Sequence, residues 1–307
     1  MLTYYFRTVK DSELKVLSEV RTGVWVHAVS PSEEEVERLV KDFALDGDIL
    51  RDASDFYEVP RLERSQMVTY FFTRYPSRDQ QQDNATAPIL IILGESFVVT
   101  VTMKEIPLFK PLIEGTEEVI TTQKTKLFIL LMNILTKSYD RELLRLQKAV
   151  NKDRVHLQSI GTKEITRLVN YETILNSMID ALNPTNVCLQ QLSSGTYLQL
   201  YKEDSDTMQD LTIANSQVVK SASAVLRTIQ NIRSASEAIM TSQLNSALRV
   251  LTVLTILLTV PLVIASLYGM NVDLPFQDSK YIFVGLIGVN AVILLVLVVI
   301  FRKNRWF

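Results

Sequence analysis

Two long runs of apolar residues near the C-terminus dominate the hydrophobicity pattern of the chain. Neither 250–267 nor 281–301 contains a charged residue. Each run is long enough for a helix to cross about 30 Å of hydrocarbon at about 1.5 Å per residue. Helices in a soluble core rarely lack a polar face over such a length. The pattern therefore predicts two membrane spans, transmembrane helix 1 at 250–267 and transmembrane helix 2 at 281–301.

The charges that flank these spans predict their orientation. Basic residues lie before the first span and after the second, at Arg249, Arg302, Lys303 and Arg305. The 268–280 link between the spans carries Lys280 against Asp273 and Asp278. Because basic residues favour the cytoplasmic side, both chain termini are expected in the cytoplasm, with 302–307 as a basic cytoplasmic tail and 268–280 as an extracellular loop. The pattern indicates a multi-pass protein of the cell (inner or plasma) membrane.

The N-terminal third shows the short alternating runs that are typical of strands. β-branched and aromatic residues concentrate at 1–7, 24–29, 67–74, 89–93 and 97–103. A polar tract at 77–84 predicts a hairpin loop or a mobile tip. A helix is predicted to begin after the second run, with Ser30 as the cap, Pro31 in the first turn and Glu33 closing a capping box, and to end near Phe43. We therefore expect an α/β cytoplasmic domain at 1–115.

Beyond residue 115 the pattern changes to helical spacing. Leu127, Leu131 and Leu135 recur at helical intervals, and Gly161 and Pro184 divide the remainder of this region into separate helices, which predicts a cytoplasmic helical region at 116–195. From Thr196 to Val260 there is neither Gly nor Pro. This run predicts a long stalk helix at 196–249 that continues into the first span, with a candidate break at 203–206, where short polar side chains favour helix caps.

One face of the first span is polar, although it lies in the predicted membrane segment. The stripe steps by three and four residues and comprises Asn245, Leu248, Thr252, Thr255, Thr259, Leu262 and Ser266. Such hydroxyls commonly bond backward to their own helix or across to a neighbouring helix, so packing is one reading of the stripe. The other reading is the lining of a pore. Because two spans cannot enclose a channel, that reading requires a homo-oligomer.

Composition and charge exclude several other classes of function. A net charge of −2 offers no basic surface to nucleic acid. The single cysteine excludes an internal disulfide, and the two histidines lie far apart in sequence. No phosphate-binding loop, dinucleotide fingerprint or metalloprotease motif is present, so neither an enzyme nor a cofactor is expected.

The end of the first span carries a recognisable motif. Tyr268-Gly269-Met270-Asn271 follows Pro261 by a short interval and precedes an acidic loop, a second span and a basic C-terminus. In this position the motif resembles that of the CorA family of divalent-cation channels. The resemblance covers the whole architecture and implies an α+β cytoplasmic domain, a long-helix stalk and two C-terminal transmembrane helices, assembled as a funnel-shaped homopentamer.

The resemblance also implies roles for individual residues. Gly269, Met270 and Asn271 would form the outer selectivity filter, and the stripe from Asn245 to Ser266 would line the conduit. Family members commonly have bulky Met gates, whereas Thr255 and Thr259 stand here. The apolar constriction is therefore expected at Leu248 or Leu262.

Mg²⁺ or Co²⁺ is the ion that the resemblance implies. Because Mg²⁺ gives up its water reluctantly, a ring of neutral Asn271 carboxamides can select it by bonding to its hydration shell. A carboxylate ring would bind a dication too tightly for conduction. Asp273 and Asp278 would raise the local cation concentration. Their alternative reading is ordinary solvated loop charge.

Regulation by intracellular Mg²⁺, bound between neighbouring cytoplasmic domains, is a further implication of the resemblance. The candidate ligands are Asp204, Asp206 and Asp210 near the base of the stalk, with Asp79 or Asp83 across the interface. The alternative reading of these acidic residues is a solvated helix start.

Two other functions fit the same sequence. A zinc transporter of the ZntB branch shares the architecture, and the lack of softer ligands along the stripe favours Mg²⁺ or Co²⁺ over it. A membrane-anchored scaffold or sensor that transports nothing would use the two spans only as an anchor.

Overall fold

The structure is a computed structural model that describes residues 1–77, 85–154, 162–198, 200–272, 275, 281–304 and 306. The chain forms two compact units, Met1–Ile232 and Arg233–Phe307. The first unit contains a mixed sheet with helices on both faces. The second contains the end of one long helix and the whole of the last helix.

The sheet of the first unit has seven strands among the described residues, in the order β2-β1-β3-β7-β6-β5-β4. The strands are β1 Leu2–Phe6, β2 Lys15–Leu17, β3 Val24–Val29, β4 Arg61–Ser65, β5 Val68–Pro76, β6 Thr86–Leu93 and β7 Phe97–Thr102. All neighbours pair antiparallel except β3 and β7, which are parallel. The five runs predicted as strands are confirmed. The edge strands β2 and β4 were not predicted, because β2 is short and β4 is rich in charged residues.

Alternation along the strands separates two hydrophobic cores. Phe71 points to the core beneath the later helices, whereas its neighbours Tyr70 and Phe72 point to the core covered by the first two helices. These are α1 Glu33–Phe43 and α2 Gly47–Asp52. Antiparallel pairing of β5 with β6 reaches Pro76 and Thr86, as expected for a hairpin, and its loop at 78–84 lies outside the described residues.

The predicted cap of α1 is wrong by two residues. Ser32, not Ser30, is the N-cap, and its hydroxyl accepts from the Glu35 backbone while the Glu35 carboxylate accepts from the Ser32 backbone. Ser30 instead adopts a positive φ of 43° and donates its N–H to the Thr102 carbonyl. Ser30 thus extends the bonding of the sheet, and the chain becomes helical only after Pro31. The predicted end at Phe43 is confirmed.

After the sheet come a 3-10 turn at Pro107–Phe109, a short α3 Lys110–Ile113, and then the long helices α4 Lys124–Arg154 and α5 Thr162–Ser193. Pro184 lies inside α5 and does not end it, contrary to the predicted division. The hydroxyl of the next residue, Thr185, donates to the Ala181 carbonyl at 2.8 Å and supports this turn. Residues of α4 and α5 complete the core beneath the sheet, so 1–115 and 116–195 pack as parts of one unit.

The stalk is a single helix, α6 Lys202–Tyr268, and the last helix is α7 Ile282–Lys303. The predicted start at 196 is six residues too early, because Thr196 and Tyr197 contribute carbonyls to β4 and β5 side chains instead. Residues 203–206 form the first turn of α6, and Pro261 lies within it. Both helices are long and apolar enough to cross a membrane, with mean hydropathies of 2.5 and 3.0 over their most apolar windows.

Acid sensitivity of the first unit is expected to depend on His27. This side chain is buried beside Thr100, whose hydroxyl oxygen lies 2.9 Å from its Nδ1, and burial lowers the pKa of His27 to about 4. In the unfolded chain the histidine side chain takes up a proton at about pH 6.5. The contribution of neutral His27 to the free energy of unfolding is therefore complete above about pH 6.5 and is lost as the pH falls towards 4. At pH 5 the loss is on the order of 2 kcal/mol.

Substitution by an uncharged amide, His27→Gln, should reduce this sensitivity. The thermal unfolding midpoint of the detergent-solubilised chain, measured at pH 7 and pH 5, should fall less in the variant than in the parent. Equal falls in both proteins would show that His27 does not contribute to the acid response.

Candidate functional site

The seven stripe residues of α6 are all exposed in the structure. They are Asn245, Leu248, Thr252, Thr255, Thr259, Leu262 and Ser266. Leu248 and Leu262 expose 50% and 67% of their surface, so neither apolar candidate for a constriction is covered by its own chain. Exposed residues in so apolar a segment indicate a surface that contacts another copy of the chain, lipid or a water-filled lumen.

The covered face of the same segment lies on the other side of the helix. Val253 is fully buried, and Leu257, Val260 and Ile264 are partly buried. At about 100° per residue, these positions lie about 150° around α6 from the polar stripe. The partly buried positions of α7, such as Leu286 and Asn290, recur at helical spacing in the same unit. Packing within the unit therefore leaves the polar stripe free.

Three threonines of the stripe bond backward to their own helix. Thr252 Oγ1 donates to the Leu248 carbonyl at 2.8 Å, Thr255 Oγ1 to Leu251 at 2.8 Å and Thr259 Oγ1 to Thr255 at 2.7 Å. Each hydroxyl proton is thereby used, and the oxygen lone pairs remain available as acceptors. A row of exposed acceptors without free protons suits contact with a cation or with the hydrogens of its water ligands.

The Gly-Met-Asn segment begins where α6 ends. The Gly269 N–H donates to the carbonyls of Ala265 and Ser266 at 3.0 and 3.2 Å, which closes the last turn. A Cβ placed on Gly269 would lie 3.4 Å from the Ala265 oxygen, in ordinary contact, and the backbone has no positive φ. Met270 and Asn271 are exposed. The fold of one chain therefore does not require glycine at 269.

Asp273 and Asp278 of the acidic loop lie outside the described residues, as do Arg305 and the candidates Asp79 and Asp83. The expectations for them remain predictions.

The candidate regulatory aspartates are divided between two faces of α6. Asp206 and Asp210 are exposed and one turn apart, so they share a face. Asp204 is only 5% exposed and lines a cavity of about 520 Å³ with Lys124. The Lys124 ammonium donates to the carbonyls of Gly94 and Glu95 at 2.9 and 3.0 Å, and burial lowers its pKa. Within the described part of one chain, no three His, Cys, Asp or Glu residues are grouped as metal ligands.

Sequence reasoning did not identify the second repeat on α6. Val253, Leu257, Val260 and Ile264 also step by three and four residues, and this repeat could have been found by testing each register of the heptad. It distinguishes the covered face from the free one.

Comparison with known proteins agrees with this architecture. A model of the family described as CorA-like Mg²⁺ transporter protein matches residues 21–303. The cobalt/magnesium transport protein CorA of Methanocaldococcus jannaschii is 22% identical over 294 residues, which cover 92% of this chain and 91% of that protein.

Solved structures share the fold. The complete CorA magnesium transporter of the same organism matches all of this chain and 99% of its own with a TM-score of 0.89 at 19% identity. The ZntB cytoplasmic domain of Vibrio parahaemolyticus covers 78% of this chain and 98% of its own, with a TM-score of 0.65 at 8% identity. Because the family model spans most of the sequence, the chain belongs to the CorA-like Mg²⁺ transporter family.

Proposed function

We propose that the chain is a magnesium channel, with Co²⁺ as a second permeant ion, in which several α6 helices surround a water-lined axis. The observation that carries the proposal is the free polar stripe of α6, whose threonine protons are bonded within the helix. A homopentamer, as the family resemblance implies, would bring one stripe from each chain to the axis. Rings of Thr255 and Thr259 oxygens would then accept from the water ligands of the ion, while Leu248 and Leu262 supply apolar rings able to close the path.

The Gly269-Met270-Asn271 segment is proposed as the outer filter. It lies at the end of the pore-lining helix, with Asn271 exposed. A neutral carboxamide can accept from the first water shell of Mg²⁺ without replacing it, which avoids the slow loss of that shell. Gly269 would permit close approach of neighbouring chains, since one chain alone tolerates a Cβ there. Asp273 and Asp278 are proposed to attract cations to this entrance.

The membrane potential would drive entry. With both termini in the cytoplasm, an inside-negative potential contributes roughly 2.3 kcal/mol per charge per 100 mV, so about twice that for a dication. Influx would therefore need no nucleotide.

Flux through purified protein tests the proposal. Liposomes that contain a Mg²⁺ indicator should fill when an inside-negative potential is applied, and protein-free liposomes should not. Zn²⁺ uptake that requires protons, without Mg²⁺ uptake, would favour the ZntB-like alternative. A folded, inserted protein that passes neither ion would favour the scaffold alternative.

Closure by intracellular Mg²⁺ is proposed to use Asp206 and Asp210. The two carboxylates share an exposed face of α6, where an ion held between neighbouring chains could reach both. Asp204 belongs to the same acidic run, but its burial within its own unit leaves it less accessible to such an ion.

Neutralising the exposed pair should therefore remove closure. At millimolar internal Mg²⁺ the double variant Asp206→Asn/Asp210→Asn is expected to conduct as well as the parent does at low internal Mg²⁺. Indicator flux into liposomes preloaded with either Mg²⁺ concentration measures this. Asp204→Asn is the matched control and should close normally. Unchanged closure in the double variant would remove both residues as regulatory ligands.

A further inference from the structure

The buried residues of α6 within the first unit follow one uninterrupted heptad stripe. From the helix start they alternate steps of four and three: Asp204, Met208, Leu211, Asn215, Val218, Ala222, Val225, Ile229 and Ile232. Most of this stripe packs with α4 and α5 in a single hydrophobic cluster. Away from the first turn of the helix, Asn215 is its only polar member. An amide at one position of an apolar seam is the device by which coiled coils select a register.

The amide of Asn215 contacts α5 at one place. Its Nδ2 donates to the Leu182 carbonyl at 3.1 Å and lies 3.4 Å from Asn186 Oδ1. The residue is fully buried, and its own Oδ1 has no hydrogen-bond partner among the described residues. Pro184 lies between the two contact residues on α5. The contact therefore falls on the one turn of α5 that contains a proline.

Other registers would be less favourable for this side chain. In the parental alignment of the two antiparallel helices, Leu182 lies opposite Asn215. A shift of one heptad would place Leu175 or Leu189 opposite Asn215 instead. Either leucine presents a backbone carbonyl as Leu182 does, so the registers differ in the side chain that replaces Asn186. In the first case Ile179 also takes the place of Asn186. In the second case Ser193 takes that place, and its shorter side chain already bonds the Leu189 carbonyl. An amide opposite Ile179 loses its side-chain partner, and a buried amide without a partner is strongly disfavoured.

We propose that Asn215 is a positioning residue that fixes the axial register of α6 against α5. A polar contact made through the amide donor in an otherwise apolar seam fits selection for register. The register concerns residues of the first unit alone and does not rest on the proposed function.

Cysteine cross-linking in the full-length protein tests the register. In a Cys188→Ala background, Leu175→Cys with Ala222→Cys reports the alignment set by Leu182 and Asn215. Leu182→Cys with Met208→Cys reports a shift of one heptad in one direction, and Leu175→Cys with Ile229→Cys reports the same shift in the other. With Asn215 intact, only the first pair should cross-link efficiently on mild oxidation.

Replacing the amide by an apolar side chain of similar size should release the register. In Asn215→Leu, cross-linking of the shifted pairs should rise at least about fivefold. Leu211→Val, a change at the preceding seam position, should leave them unchanged, and Asn215→Ala serves if the leucine variant does not fold. Shifted pairs that stay at the parental level in a folded Asn215 variant overturn the proposal.

Flux separates this inference from the channel proposal. Cross-linking needs no ion flux, so a parent protein that passes no Mg²⁺ would refute the channel and leave the register result intact.

Discussion

Asn271→Ala is expected to abolish selective Mg²⁺ flux. The variant retains the end of α6, because the hydrogen bonds that close its last turn come from Gly269 and Met270 backbone groups. It removes the carboxamide that we propose to contact the first water shell of the ion. Without that acceptor the entrance loses its means of holding a hydrated dication, and uptake should fall by at least about tenfold, which corresponds to about 1.4 kcal/mol. Indicator flux in liposomes under an inside-negative potential measures the loss.

The neighbouring Val272 provides a control for this experiment. It is exposed like Asn271 and follows it directly in the chain, so Val272→Ala perturbs the same segment without removing an amide. It should retain most of the flux. If Asn271→Ala conducts Mg²⁺ at the parental rate and with parental preference over Na⁺, the filter assignment is wrong.

Thr255→Val/Thr259→Val is expected to reduce flux severely while leaving the fold intact. Valine matches threonine in shape, and among the described residues each threonine hydroxyl bonds only its own helix, at 2.8 and 2.7 Å. The substitution turns two polar rings of the proposed lumen into apolar ones, which favours expulsion of water from a narrow pore. Uptake should fall by about tenfold or more in the same liposome assay.

A threonine outside the span tests whether the loss of flux comes from the lost polar ring or from the lost hydrogen bond within the helix. Thr228 makes the same backward bond, to Ala224 at 3.0 Å, in the first unit. Thr228→Val should conduct normally. Normal flux in the Thr255/Thr259 variant as well would mean that the stripe packs against protein or lipid, as the alternative reading of the sequence holds.

Much of the fold follows from local patterns in the sequence. The strands β1, β3, β5, β6 and β7, the end of α1 at Phe43 and the two apolar spans are all signalled by periodicity or composition over short windows. The errors occurred where a short-range signal was ambiguous. Ser30 and Ser32 both precede acidic residues, and the structure distinguishes them by the bond from Ser30 to β7 and the reciprocal bonds between Ser32 and Glu35. Pro184 usually marks a helix end, yet packing in the first unit carries α5 through it.

The sequence by itself determined the two spans, the polar stripe and the position of the Gly-Met-Asn segment, because each is a property of neighbouring residues along one helix or turn. Only the tertiary structure decided which face of α6 remains free, that Asp204 is separated from Asp206 and Asp210, and that Asn215 meets α5 at its proline turn. These facts depend on contacts between residues far apart in sequence. A periodic pattern shows that a helix has a face, but the partner that covers the face comes from elsewhere in the chain.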